Sequence, residues 1–366
     1  MSRKGQHMKT DTANSPLHGG DIYSIEKRVM DFSVNINPLG MPWDMRKELE
    51  ESVADVINYP DPDCGALREA IAELEGIGKD RIICGNGAAE LIYTLFFALR
   101  PERVLLSAPG FSEYERAAVA LGAQVGYFNL REDGGFGMDE GILSSMDDDL
   151  DMLILANPNN PTGRLMDREL LKRIKENCRQ KGILFVLDEC FLDFCEGAEE
   201  ESLCRDAEKG DKGIFILKSF TKMYAMPGVR LGYGICSQED ILRKMQAVRQ
   251  PWSVSGMAQR AGITACKMRS FRERAVMLVK KEREYMLREL SAIPSLRVYP
   301  SQANFILFRL LEDMDLYEGL LDRGFLIRDC SNYTGLKKGY YRVAVRGHEE
   351  NKLLLAAIGE CLKREM

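Results

Sequence analysis

Four apolar runs limit what this chain can fold into: Val104-Leu105-Leu106-Ser107-Ala108, Met152-Leu153-Ile154-Leu155-Ala156, Gly182-Ile183-Leu184-Phe185-Val186-Leu187 and Gly213-Ile214-Phe215-Ile216-Leu217. A strand wetted on one face alternates polar and apolar residues, because successive side chains point to opposite sides. Near-continuous apolar runs need cover on both faces, which is the condition of a parallel sheet. Segments of helical period lie between them, residues 168–181 among them, and further strands are expected at 82–86 and 124–130. Strands alternating with helices imply an α/β architecture with a mainly parallel sheet. Ligands of such sheets bind outside the carboxyl ends of the strands. Gly85, Asn157, Asp188 and Ser219 all stand just after strands, so they converge on one edge.

With 366 residues the chain has room for two domains. Net charge is −6, with Lys and Arg scattered, which argues against a nucleic-acid partner. The apolar runs are too short for a membrane span, and residues 1–15 lack the apolar core of a secretory signal. Ten cysteines are spread without a C-x-x-C pair, Cys190 and Cys195 being the nearest neighbours. They read as reduced thiols of a cytoplasmic protein, with no metal site expected.

Residues 1–16 read as a disordered lead-in, and 17–48 as an arm that joins a smaller C-terminal domain. In Leu17-His18-Gly19-Gly20-Asp21 two readings stay open: a flexible turn, or an arm bringing His18 to an anionic substrate. Phe32 to Gly40 alternates as a half-buried strand would, with Ser33, Asn35 and Asn37 in a polar row. Helices are expected over 42–58 and 64–74, separated by Tyr59-Pro60-Asp61-Pro62-Asp63. Residues 49–262 form the expected large domain and 263–366 the small α+β one. A single long helix over 259–290 leads into the latter, followed by strands at 296–300, 305–309, 325–329 and 341–345 and helices at 315–322 and 350–364.

Two stretches carry chemistry. Gly85-Asn86-Gly87-Ala88-Ala89-Glu90 joins a strand to the helix 91–99, either as a phosphate seat at a helix N-terminus or as a plain connecting turn. It lacks the third glycine of a dinucleotide fingerprint. Ser219-Phe220-Thr221-Lys222 places a lysine just past a strand, with a hydroxyl three residues before it and Arg230 eight after. Such an amine can form a Schiff base with an aldehyde cofactor, whose phosphate the hydroxyl and guanidinium would hold.

The ordered set Asn160-Pro161-Thr162-Gly163, Asp188, Ser219-x-x-Lys222 and Arg230 closely resembles the fold-type I pyridoxal 5′-phosphate (PLP) enzymes of the aspartate aminotransferase superfamily. The resemblance runs from about residue 17 to the end. It implies a large domain with a mainly parallel seven-stranded sheet, a smaller α+β domain and a homodimer. By position, Lys222 would carry the cofactor and act as general acid and base, and Asp188 would pair with the pyridinium nitrogen. Asn160 would meet the ring 3′-oxygen and Phe111 would stack on the ring. Ser219, Arg230 and the amides of Gly87, Ala88 and Ala89 would hold the phosphate, with Tyr59 contributed by a second subunit. Arg342 would clamp the substrate carboxylate. Where these enzymes commonly carry tyrosine, this chain has Phe191, which removes a phenol from beside the 3′-oxygen and puts ordinary transamination in doubt.

Within the superfamily the chain is similar to the histidinol-phosphate aminotransferase-like branch. More specifically it resembles the L-threonine-O-3-phosphate decarboxylases of cobalamin biosynthesis. The likeness rests on His18-Gly19-Gly20, the stretch from Asp31 to Pro42, Gln250-Pro251-Trp252-Ser253-Val254 and the stretch from Tyr340 to Arg346. It implies loss of the α-carboxylate. His18, Arg328 and Arg346 would grip the substrate phosphate, while Arg342, with Asn35 or Asn37 of the Ser33 row, would hold the carboxylate. The alternatives are a histidinol-phosphate aminotransferase, an L-serine O-phosphate decarboxylase and a regulatory protein without turnover.

Overall fold

The apolar runs become the middle of a seven-stranded sheet. The structure is a computed structural model and describes residues 18–208 and 213–363. The lead-in expected over 1–16, Leu17 and position 364 of the last helix lie outside the described residues. The strands are β1 (Met30–Asp31), β2 (Ile82–Gly85), β3 (Arg103–Ala108), β4 (Gln124–Asn129), β5 (Met152–Ala156), β6 (Leu184–Asp188), β7 (Ile214–Ser219), β8 (Gly232–Cys236), β9 (Leu296–Val298), β10 (Phe305–Leu310), β11 (Phe325–Leu326), β12 (Arg328–Asp329) and β13 (Tyr340–Ala344). The large sheet has the order β2-β8-β7-β6-β5-β3-β4. Its neighbours from β7 to β4 are parallel, while β8 runs antiparallel to both β2 and β7.

Every residue of β5, β6 and β7 is buried, the double cover that their composition called for. One face packs Leu106, Ile154, Val186 and Phe215 against the helix Gly87–Leu99. The other packs Leu153, Phe185 and Ile216 with Leu67, Ile174 and Ala261 of three further helices. Strand β8 carries no continuous apolar run, because glycines interrupt Gly232-Tyr233-Gly234-Ile235-Cys236. Contact requires one of them: a Cβ on Gly232 would lie 2.4 Å from the amide nitrogen of Ala88.

Three expected elements differ. The stretch from Phe32 to Gly40 is not a strand; only Met30–Asp31 is, paired in parallel with β11. Asn37 folds back instead, its Oδ1 accepting from the Leu39 amide at 3.0 Å, a local bond that competes with strand pairing. The long helix over 259–290 is two helices, Gly256–Cys266 and Arg269–Ser291, with Met268 between them at φ −97° and ψ 48°. Short bonds from the Lys267 amide to Thr264 and from the Met268 amide to Ala265 close the first, and charged residues carry the pattern across the break. The strand expected over 325–329 divides at Ile327, because β11 pairs with β1 while β12 pairs with β13.

The second sheet, β12-β13-β10-β9, is antiparallel. Its core gathers Met286, Phe308, Tyr341 and Ile358 with Phe32 of the arm, and the Ala344 amide donates to the Phe32 carbonyl at 2.8 Å. No helix among the described residues is long and apolar enough to cross a membrane.

A buried ionic cluster ties the large sheet to the helix Arg269–Ser291. The Lys218 ammonium, on β7, donates to both oxygens of Glu75 at 3.0 and 3.2 Å and lies 3.6 Å from Asp193. Arg272 reaches Asp193 at 3.2 Å, and the Tyr233 hydroxyl donates to Glu75. Burial alone would pull Lys218 down, but the Glu75 and Asp193 carboxylates outweigh it and hold the amine charged well above its usual range. Lys218→Met leaves two carboxylates buried without that cation. We expect a loss of about 3 kcal/mol in urea unfolding of the cofactor-free protein, and a loss below about 1 kcal/mol would show the cluster to be a solvated pair.

Candidate active site

A cavity of about 740 Å³ opens at the carboxyl ends of β5, β6 and β7. Fourteen of the side chains and amides expected at a site line it: His18, Ser33, Asn35, Gly87, Ala88, Ala89, Phe111, Asn160, Asp188, Phe191, Ser219, Lys222, Arg230 and Arg342. Asn37, Tyr59, Arg328 and Arg346 do not. The parallel sheet explains the convergence, since β5, β6 and β7 end side by side and release their next residues at one edge.

Strand β7 ends at Ser219, which caps the short turn Phe220–Met223 by accepting from the Thr221 amide at 3.3 Å. The Ser219 Oγ also accepts from Lys222 Nζ at 3.1 Å and lies 2.8 Å from the Thr221 hydroxyl. The Lys222 amine also stands 5.5 Å above the Phe191 ring. Asn37 braces this turn from behind. Its amide side chain donates to the Met223 carbonyl at 2.7 Å and its backbone N–H to the Lys222 carbonyl at 3.1 Å. The expected contact of Asn37 with substrate is therefore replaced by a contact with the lysine's own backbone.

The helix Gly87–Leu99 brings the amides of Gly87, Ala88 and Ala89, expected at a phosphate, to the cavity wall. No side chain caps its first amides, and Glu90 satisfies only the Asn86 N–H, at 2.5 Å. Gly87 has φ +78°, and a Cβ there would lie 2.5 Å from an Arg230 guanidinium nitrogen, so glycine admits the arginine. Arg230 itself is held at φ +60°. That conformation costs an L-residue on the order of 1 kcal/mol and is kept where the surroundings demand it.

Asp188 ends β6 and is held at both oxygens: Oδ1 accepts from the Cys190 amide at 2.8 Å, and Oδ2 from the Tyr114 hydroxyl at 2.6 Å. Burial, then the Asp188 charge, raises the Cys190 thiol well above its normal range, so it stays protonated and unreactive. Across the cavity Arg342, on β13, donates to Asn160 Oδ1 at 2.5 Å and to the Ser33 carbonyl at 2.7 Å. Its Nε is buried without a partner, as is Asn35 Oδ1. An unmet buried donor or acceptor costs roughly 1–3 kcal/mol, so both stand ready for a ligand.

The arm closes the cavity over Phe111. His18 Nε2 lies 2.7 Å from Glu113 Oε1, and its ring centroid is 5.9 Å from that of Phe111. Burial pushes Glu113 up, but bonds from Tyr93 (2.8 Å) and Arg116 (2.9 Å) and the charge of His18 outweigh it and hold the carboxyl below its usual range. Arg328 sits behind the arm, in a small recess lined by Gly19, Gly20 and Ser33, donating to Asn332 at 2.8 Å with its guanidinium 5.3 Å from the Tyr333 ring. Arg346 is engaged outside the cavity with Glu350 at 2.6 Å and the Asp31 carbonyl at 2.7 Å. Of the three cations expected at a substrate phosphate, only His18 lines the main cavity. Tyr59 is 81% exposed, packs on Trp252 and does not line this chain's cavity.

Sequence reasoning left out Thr221, Glu113, Tyr114 and Tyr333, all of which line the cavity. Only Thr221 had a signal, as a second hydroxyl one residue from Lys222. The residues present fit PLP: an amine, a carboxylate placed for a pyridinium nitrogen, an aromatic wall in Phe111, and a phosphate seat of uncapped amides, two hydroxyls and Arg230. Among the described residues no cluster of three or more His, Cys, Asp or Glu could hold a metal.

The same architecture and sequence recur in known proteins. The family model "Aminotransferase class I and II" matches residues 27–358. A threonine-phosphate decarboxylase of Salmonella typhimurium is 38% identical over 353 residues, 94% of this chain and 96% of the relative. Among solved structures, a histidinol-phosphate aminotransferase from Clostridium acetobutylicum superposes with a TM-score of 0.85 at 32% identity, covering 92% of this chain and 99% of that one. The L-threonine-O-3-phosphate decarboxylase from Porphyromonas gingivalis gives 0.82 at 28% identity, covering 91% and 99%. A sheet edge that gathers Lys222, Asp188 and a phosphate seat, and a match along nearly the whole chain, lead to one conclusion: this chain belongs to the aminotransferase class I and II family of PLP-dependent enzymes.

Proposed function

We propose that this enzyme decarboxylates L-threonine O-3-phosphate to (R)-1-amino-2-propanol O-2-phosphate and CO₂, as a step of cobalamin biosynthesis, and works as a cytoplasmic homodimer. One observation carries the reading: the wall beside Lys222 is the Phe191 ring, in a chain that matches a threonine-phosphate decarboxylase at 38% identity over 94% of its length. PLP, when bound, supplies an electron sink for the pair left at the substrate's α-carbon. The protein's own groups supply orientation and a proton.

Arg342 is the carboxylate clamp. Nη1 is bonded to Asn160 and Tyr333 and Nη2 to the Ser33 carbonyl, so of its five N–H donors the one on Nε and one on Nη2 remain for the incoming carboxylate. His18, fixed by Glu113 above the cavity, is placed to meet the phosphate end, and Arg328 lies one wall behind it. Holding both ends sets the rotation about the α-carbon, so that the bond to the carboxylate is the one that breaks. Lys222 then returns a proton to that carbon. Ser219 steadies its amine, and Phe191 offers no competing hydroxyl. Tyr59, exposed beside Trp252, is available to the phosphate seat of a second subunit.

A second reading, amino transfer from histidinol phosphate, is favoured by the 0.85 superposition. Purified protein supplied separately with L-threonine O-3-phosphate, L-serine O-phosphate and histidinol phosphate plus 2-oxoglutarate separates the readings. CO₂ release from the first is expected. The second, one methyl shorter, should be slower by about 10- to 100-fold. Amino transfer from histidinol phosphate without CO₂ release from either amino acid would overturn the proposal.

Two variants probe the site itself. Lys222→Ala should remove the visible absorbance of the protein-bound cofactor and lower kcat by at least about 10³-fold; unchanged absorbance would refute the assignment. Mixing Lys222→Ala with Tyr59→Ala protein should restore about a quarter of wild-type activity if each site borrows Tyr59 from a partner protomer. No recovery would place Tyr59 in its own protomer's site, and full activity of Tyr59→Ala protein alone would place it outside the site.

A further inference from the structure

Tyr114 is only 3% exposed, in the cavity wall, and both its ends are engaged. Its hydroxyl donates to Asp188 Oδ2 at 2.6 Å. Its ring meets Phe111 edge-on, with centroids 5.5 Å apart and planes at 82°. The other oxygen of Asp188, Oδ1, accepts from the Cys190 backbone at 2.8 Å. A carboxylate has about four lone-pair sites, so two donors still leave it able to accept from a cavity ligand. The phenol does not compete for a negative charge: burial, then the Asp188 charge, holds Tyr114 well above its ordinary range, and it stays a donor at any working pH.

We infer that Tyr114 is the positioning residue for Asp188. It fixes the rotation of the carboxylate, with Cys190 on the other oxygen, so that Asp188 is oriented toward the ring nitrogen of bound PLP. This rests on the PLP reading of the cavity. The placement follows from one turn of chain. Phe111 is the N-cap of the helix Ser112–Ala120, and Tyr114 follows three residues later, so one backbone segment delivers both the aromatic wall and the phenol. Glu113, between them, turns to His18. Removing the hydroxyl with Tyr114→Phe leaves the ring contact with Phe111 in place and strips Asp188 of one of its two fixed donors.

The test is cofactor binding rather than turnover. Cofactor-free wild type, Tyr114→Phe, Asp188→Asn and the double variant are titrated with PLP. The first two are also titrated with the carbocyclic analogue in which C–H replaces the ring nitrogen, and urea unfolding checks that each variant folds. Tyr114→Phe should weaken PLP binding about tenfold, the worth of one hydrogen bond to a charged group. It should also shift the pH dependence of the bound cofactor's visible band. The analogue should bind wild type and Tyr114→Phe alike, and on the Asp188→Asn background the Tyr114 change should cost nothing further. Equal losses for both ligands, or additive losses in the double variant, would overturn the role and leave Tyr114 a packing residue. Failure of the wild type to bind PLP would instead remove the cofactor reading, and this role with it.

Discussion

The guanidinium of Arg342 is the point at which three stretches of chain become one site. It is 5% exposed, and a buried cation must find partners or destabilise the fold. Its partners come from the arm (Ser33 carbonyl), from the loop after β5 (Asn160) and from β10, where Phe305 lies under it at 5.4 Å. The arm, the large sheet and the second sheet thus meet over one charge. Separating any of them would leave that charge with fewer bonds. The cavity therefore belongs to the closed arrangement rather than to either sheet alone.

Around that tie the site divides by rigidity. The cofactor seat is built on strand ends and the first turn of a helix, with Asp188, Ser219 and Lys222 each bonded within the cavity wall. Such groups need little reorganisation when a ligand arrives. The substrate side is less complete. Asn35 Oδ1 and Arg342 Nε lack partners, and His18 rests on Glu113 in a half-exposed arm. Groups that gain bonds only when substrate is present can put binding energy into orientation, which a decarboxylase requires because the choice of bond is a choice of rotation.

Phe191 forms the aromatic wall beside Lys222. It has no hydroxyl, so the face under Lys222 is an aromatic surface backed by Phe305 at 5.0 Å. The Lys222 amine donates to the Ser219 hydroxyl. A proton held there has fewer places to go.

Much of this was legible from the chain alone. Unbroken apolar runs demand a doubly covered parallel sheet, and the residues after them must then share an edge, which brought Gly87, Asn160, Asp188, Ser219 and Lys222 to one cavity. Local periodicity could not show β8, whose glycines are there for contact with Ala88 and Phe215, or the break at Met268, across which the charged pattern continues. Nor could it say which polar residues face inward. Asn37 turned to the Lys222 backbone, Arg328 settled behind the arm and Arg346 paired with Glu350. Tyr114 and Asp188, 74 positions apart, carry no mutual signal in the sequence, and only the packing of the helix Ser112–Ala120 beside β6 makes them neighbours. The sequence alone determined the sheet and the cofactor edge, because strand periodicity is a property of consecutive residues. The tertiary structure decided the second partner of each site residue, because those bonds join segments that only the folded chain brings within 3 Å.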